Sequence, residues 1–216
     1  MYIQNIRIWK NNFHYLFSIF LNVSNKLFYM LPTKATMKKK TMMELHRISC
    51  EQFKEACKIP LVVILDDIRS LNNVGSIFRT SDAFVVECII LCGITATPPH
   101  PDIHKTALGA EDSVNWIYME KVTDAIDMLH ERGYTVCSIE QVNGSISLDD
   151  FNVENGKKYA VILGNEVKGV QQQAVDMSDY CIEIPQYGTK HSLNVSISAG
   201  IVIWQFFNKM KLFTKL

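Results

Sequence analysis

From Lys58 onward the chain alternates between unbroken apolar runs and amphipathic stretches, and each kind predicts an element. Leu61-Val62-Val63-Ile64-Leu65, followed by Asp66-Asp67, reads as a strand buried on both faces, since a strand covered on both sides does not alternate. Glu87–Gly93, Tyr134–Ile139, Tyr159–Leu163 and Cys181–Pro185 read as further strands. Between them, 73–85 sets Val74, Ile77, Phe78, Ser81, Phe84 and Val85 at near-helical spacing, and 121–132 is an amphipathic helix stopped by Gly133. An opening helix is predicted over 43–57, a short one over 171–177 and a long closing one over 192–210. The stripe of that last helix reads as Leu193, Ile197, Gly200/Ile201, Trp204 and Phe207. Thr95–Lys105, with three prolines, reads as a loop. Strands alternating with helices throughout predict an α/β fold, a mainly parallel sheet flanked by helices.

Composition adds a boundary. Of 216 residues 48% are apolar, enough for one well-filled domain with or without a tail. The formal charge is zero, but residues 1–42 carry seven basic side chains and no acidic one, which leaves the remainder at −7. An acidic body argues against broad electrostatic capture of nucleic acid, so any RNA contact must be local and shaped, or must use the basic tail. The apolar run 13–23 is too short for a membrane span, which takes roughly 20 residues, and no small-x-small cleavage site follows it closely. Residues 1–42 therefore read as an N-terminal extension or tail, and 43–216 as a single domain. The six cysteines include no C-x-x-C pair, and several sit inside apolar runs. They read as small hydrophobes in a reducing, cytoplasmic compartment, with no metal site expected.

Three polar motifs stand at predicted strand ends, where ligands of open α/β sheets gather. The first, Asn72-Asn73-Val74-Gly75-Ser76-Ile77-Phe78-Arg79, runs into a helix. Its plain structural content is an asparagine cap, a glycine for close packing and a surface arginine. Arg79 falls on the side of the helix away from the apolar stripe, free to meet a polar partner. The second, Leu163-Gly164-Asn165-Glu166-Val167-Lys168-Gly169, flanks a carboxylate with glycines that let backbone approach a ligand. A tight turn whose glutamate caps the next helix accounts for it equally well. The third, Ile184-Pro185-Gln186-Tyr187-Gly188-Thr189-Lys190-His191-Ser192-Leu193-Asn194, ends a strand and opens the last helix. Ser192 reads as its cap and Asn194 as an unexpected first-turn residue, asparagine being a poor helix former away from caps. His191 carries no assigned role. No G-x-G-x-x-G follows any strand, which excludes the common dinucleotide site.

Taken in order, N-x5-R (Asn73…Arg79), G-N-E-x-x-G (Gly164–Gly169) and I-P-x-x-G-x-x-x-S-L-N (Ile184–Asn194) resemble the SpoU/TrmH family of RNA methyltransferases in the SPOUT class, over roughly residues 60–210. Leu91–Trp116 also looks like a stretch found in one branch of it. The resemblance implies a C-terminal trefoil knot, a rare exception among protein folds. It implies a homodimer with its active site near the subunit interface, and S-adenosylmethionine as methyl donor. It assigns Leu163, Gly164, Gly169, Ile184, Gln186 and Leu193 to the cofactor, and Asn73, Arg79, Glu166, Ser192 and Asn194 to the polar, catalytic part of the site. Gln186 departs from the methionine usual at that position in the family.

The implied reaction is methylation of a ribose 2′-hydroxyl in RNA. Arg79 either acts as the base or stays charged and stabilises the developing alkoxide; a guanidinium is a poor proton acceptor, with a pKa above about 12. A non-catalytic knotted RNA-binding scaffold and a base-methylating SPOUT enzyme are the alternatives. No separate RNA-binding domain of about 70–100 residues precedes the body, and compact members resembling this chain often act on transfer RNA. Transfer RNA is therefore expected ahead of ribosomal RNA, recognised through its shape and a splayed-out nucleotide.

Overall fold

A computed structural model describes residues 37–41, 43–45 and 47–210. The predicted tail up to residue 36, its apolar run included, lies outside the described residues. The chain divides between Arg47 and Ile48. Ahead of that division the predicted opening helix is only a 3-10 turn, Met43–Leu45, in which Glu44 accepts from the Thr41 N–H and hydroxyl. A short helix, α1 (Cys50–Glu55), starts afresh beyond it, because Ser49 and Gln52 form a reciprocal capping box.

The body then runs β1 (Ile59–Asp66), α2 (Leu71–Ala83), β2 (Val86–Cys92), α3 (Pro101–Ala107), α4 (Ala110–Ser113), β3 (Trp116–Met119), α5 (Val122–Glu131), β4 (Tyr134–Ile139), β5 (Ile146–Ser147), β6 (Lys158–Leu163), α6 (Gln172–Met177), β7 (Tyr180–Glu183) and α7 (Val195–Met210). The strands form one seven-stranded sheet in the order β3-β2-β1-β6-β4-β7-β5, with every pairing parallel. The predicted strands are all present. This order and register are compatible with the implied knot.

Alternate residues of the central strands feed two different cores, the reason their sequences run apolar without a break. Leu61, Val63 and Leu65 of β1 join Tyr159, Val161 and Leu163 of β6 in a core with α2 and α7. Val62 and Ile64 face the other way, with Ala160, Ile162 and the buried face of α5. Cys92 and Cys137 are buried in these layers, and burial pushes the Cys92 thiol up to about 12, as expected of packing rather than reactive cysteines.

Four local expectations are corrected. The proline-rich loop holds a helix, α3: Pro101 occupies its first turn, where its missing N–H costs nothing, and the His100 side chain accepts from the Asp102 N–H. The cap of α2 is Ser70, which accepts from the Asn73 N–H, and neither Asn72 nor Asn73. Asn194, not Ser192, opens α7; its side-chain oxygen accepts from the Ser196 N–H at 2.9 Å, and its carbonyl from Ile197 and Ser198. Finally, α7 buries Val195, Ala199, Val202, Ile203, Phe206 and Met210, while Leu193, Ile197, Ile201 and Trp204 stay substantially exposed. This helix is apolar nearly all round, so periodicity alone could not choose its inner face.

Gly75 behaves as read. A Cβ there would lie 2.2 Å from the Ile103 carbonyl oxygen, so its absence is what lets α2 and α3 touch. Among the described residues no helix is long and apolar enough to cross a membrane, and no cluster of three or more His, Cys, Asp or Glu side chains is placed to hold a metal ion.

Candidate active site

The carboxyl ends of β4, β6 and β7 are neighbours in the sheet, and the chain leaving each of them builds one wall of a cleft of about 730 Å³. Ile139 ends β4 and Glu140–Val142 follow it, Leu163 ends β6 and Gly164–Val170 follow it, and Glu183 ends β7, followed by Ile184, Gln186 and His191 to Asn194. This is where parallel sheets collect ligands, and the volume lies within the range of about 300–1,000 Å³ usual for small-molecule sites.

All six residues expected to hold a cofactor, Leu163, Gly164, Gly169, Ile184, Gln186 and Leu193, line this cleft. Of the polar set, Glu166, Ser192 and Asn194 line it as well. Asn73 reaches it through them: its amide donates to Glu166 Oε1 at 3.0 Å and accepts from the Asn194 amide at 3.2 Å. One chain of hydrogen bonds thus joins the loops after β1, β6 and β7. Arg79 stands apart. It is exposed, lies outside the lining, and sits six residues along α2 from Asn73, roughly 9 Å along the axis.

The turn after β6 is drawn tight by Asn165. Its backbone pairs with Gly169 in both directions, at 3.0 and 2.8 Å, and its side-chain oxygen accepts from Val167 and Lys168. Its amide donates to the Asp67 carbonyl at 2.7 Å, fastening the turn to β1. Gly164 packs flat against the far side of the same turn; a Cβ on it would fall 2.2 Å from the Gly169 carbonyl carbon and the Val170 nitrogen. Gln171 adds a second fastening, its amide donating to buried Asp66 at 2.8 Å. Burial raises the Asp66 carboxyl above its ordinary value, against the lowering effect of Gln171.

Glu166 is saturated by donors from the opposite loop. The Arg69 and Ser70 N–H groups donate to it at 3.0 Å each, beside Asn73. Partial burial pushes its carboxyl up, but these bonds outweigh burial and hold it below 4.5. A depressed carboxylate stabilises the fold above its unfolded value, and that stabilisation is lost as pH falls through the folded one. Glu166→Gln is therefore expected to lower the melting temperature at neutral pH and to flatten its fall below pH 4.5. Melting curves across that range check it; identical acid limbs in the two proteins would refute the pairing.

Sequence reading passed over four residues that the structure brings to the site or its supports: Asn165, Gln171, Glu140 and Gln141. Asn165 stands inside a motif and Gln171 just past it, so a close reading of the turn flags both. Glu140 and Gln141 follow β4 with no motif around them.

The SpoU rRNA Methylase family model matches residues 60–204. A relative from Borreliella burgdorferi, named an uncharacterized tRNA/rRNA methyltransferase, is 30% identical over 212 residues, 97% of this chain and 90% of that protein. A Staphylococcus aureus protein named a putative TrmH family tRNA/rRNA methyltransferase is 31% identical over 159 residues, of which this chain spans 63% of the relative's length. Among solved structures, an AdoMet-bound rRNA methyltransferase from Sinorhizobium meliloti superposes with a TM-score of 0.65 at 25% identity, covering 72% of this chain and 59% of that one. The A. aeolicus TrmH/SpoU tRNA modifying enzyme gives 0.66 at 23% identity over 74% of this chain and 81% of its own, a likeness of fold alone.

Proposed function

The chain belongs to the SpoU rRNA Methylase family, and from that premise we propose that it is an S-adenosylmethionine-dependent methyltransferase of a ribose 2′-hydroxyl in RNA. The observation that carries this reading is that the second and third motifs line one cleft, and Asn73 of the first is hydrogen-bonded to Glu166 and Asn194 on its wall. The cleft suits the cofactor in charge as well as in volume: Glu140, Glu166 and Glu183 line it against Lys168 and His191, a balance that favours a cationic ligand such as a sulfonium. Bound there, the cofactor supplies an electrophilic methyl group.

The protein's own task is alignment, which accounts for much of the acceleration of a two-substrate transfer. Leu163, Ile184 and Leu193 give apolar contact to the nucleoside, while the Gly164–Gly169 turn gives backbone groups. Ser192 and Asn194, at the start of α7, orient the acceptor ribose. A guanidinium is a poor proton acceptor, which supports a charged role for Arg79 at the developing alkoxide over a role as base.

The proposal includes a homodimer. Ile197, Ile201 and Trp204 leave an apolar stripe along α7, which Leu193 extends ahead of the helix and joins to the cleft lining. A second copy seated on the stripe borders the cleft, and the reading has Arg79 of one copy serving the site so formed. Sedimentation velocity checks this part; a monomer at micromolar concentration removes it.

Transfer RNA remains the favoured substrate over ribosomal RNA, and a cytoplasmic location goes with either. Two measurements test the whole: equilibrium dialysis with labelled S-adenosylmethionine, and mapping of ribose methylation in total RNA from a deletion strain. Absence of cofactor binding supports the scaffold alternative. A lost ribosomal mark moves the substrate to ribosomal RNA, and an unchanged ribose map refutes the activity.

A further inference from the structure

We propose that Glu140, which lies in none of the three motifs, binds the two hydroxyls of the cofactor's ribose through its carboxylate. The inference rests on the S-adenosylmethionine reading above. Glu140 is the first residue past β4, on the cleft wall between the turn after β6 and the loop after β7. Its carboxylate is held by two backbone donors, the Gln141 N–H to Oε1 at 2.9 Å and the Val170 N–H to Oε2 at 3.0 Å. An ionised carboxylate offers about four acceptor directions, so each oxygen keeps one for a ligand.

The ligand this arrangement suits is a neighbouring pair of O–H donors, and a ribose carries them on adjacent carbons. The lining beside Glu140 is apolar, with Ile139, Val142 and Val170, which suits the nucleoside half of the cofactor better than its charged amino-acid end. Gly169 supplies a further condition. It holds a φ of +70°, and a Cβ on it would stand 2.2 Å from Glu140 Oε2, so a side chain at 169 would displace the carboxylate. The second glycine of the G-N-E-x-x-G motif thus has a partner at the end of another strand, β4.

Glu166 lacks this freedom. Its oxygens already take three donors from the loop ahead of α2 and from Asn73. Gln141, next in sequence, acts differently from Glu140: its amide donates to the His191 carbonyl at 3.0 Å and tethers the loop after β7. Glu140 is therefore a ligand-binding residue in this proposal, and Gln141 a positioning one.

The test is a binding cycle on the full chain with S-adenosylhomocysteine and its 2′,3′-dideoxy analogue. For wild type, loss of both hydroxyls is expected to weaken binding by about tenfold or more, the size of a charge-assisted bond. Glu140→Gln should weaken S-adenosylhomocysteine by a similar factor yet bind the dideoxy analogue as wild type does. Gln141→Ala should weaken both ligands equally. If Glu140→Gln also weakens both equally, the residue acts only through the turn and the proposal falls. Should the glutamine variant melt below the assay temperature, Glu140→Asp, which keeps the charge and shortens the reach, is read in the same cycle. Wild type that fails to bind S-adenosylhomocysteine at all refutes the cofactor reading itself, a result distinct from equal losses.

Discussion

Gly164→Ala is expected to abolish cofactor binding, with a loss of at least a hundredfold in affinity, while the protein remains folded. The added methyl would lie 2.2 Å from the Gly169 carbonyl carbon and the Val170 nitrogen, and 2.3 Å from the Gly169 oxygen. All three are backbone atoms, so no side chain can swing aside to admit it. The turn must move, and it is fastened at Asn165 to β1 and at Val170 to Glu140. Overpacking of this kind costs about 1–3 kcal/mol of stability, a modest part of a domain's total. The cleft suffers more than the fold, because the displaced turn is its wall. Equilibrium dialysis with labelled S-adenosylmethionine, beside a thermal melt, separates the two effects. Near-normal affinity in the variant would mean that the cofactor does not use this turn.

Arg79→Ala carries the second large effect: methyl transfer falls by about 10²–10³-fold, the usual consequence of losing one charge-stabilising donor, and cofactor affinity stays within a few-fold. The separation follows from geometry, since Arg79 is outside the lining that the cofactor would touch. Single-turnover methylation of transcribed transfer RNA measures the first quantity and dialysis the second. Near-normal turnover removes Arg79 from the mechanism. Arg79→Lys keeps the charge and discards the planar fork, so substantial residual activity in it supports charge stabilisation.

The parallel sheet was legible in the sequence because the centres of β1, β2 and β6 are buried on both faces and run apolar, as in Leu61–Leu65, Ile89–Leu91 and Ala160–Leu163. The α7 face was not: Val195, Val202 and Phe206 point inward while the equally apolar Ile197, Ile201 and Trp204 do not, and only tertiary packing decides between them. Capping was misjudged where several cap formers stand in a row. Ser70 rather than Asn72 or Asn73, and Asn194 rather than Ser192, take the cap because each has the backbone geometry to reach the next turn. Of the eleven motif residues, six lining positions and three polar ones meet in the cleft, Asn73 bonds to its wall, and Arg79 stands apart. Glu140 was invisible because its importance comes from Val170 and Gly169, some thirty positions later, and nothing local announces that contact.

The hydrogen bonds that tie Asn73 to the cleft wall join residues 93 and 121 positions apart, Asn73 with Glu166 and with Asn194. Long loops of this kind must be closed before their contacts repay the lost chain entropy, so these bonds come late in folding. During synthesis the order is stricter still. The strands from β1 to β4 are complete long before Asn194 emerges, and until it does the cleft lacks a wall. A chain complete to β4 can pair only β3, β2 and β1, since β4 waits for β6 and β7, and even the finished sheet lacks a full cleft wall until Asn194 and the last helix follow it.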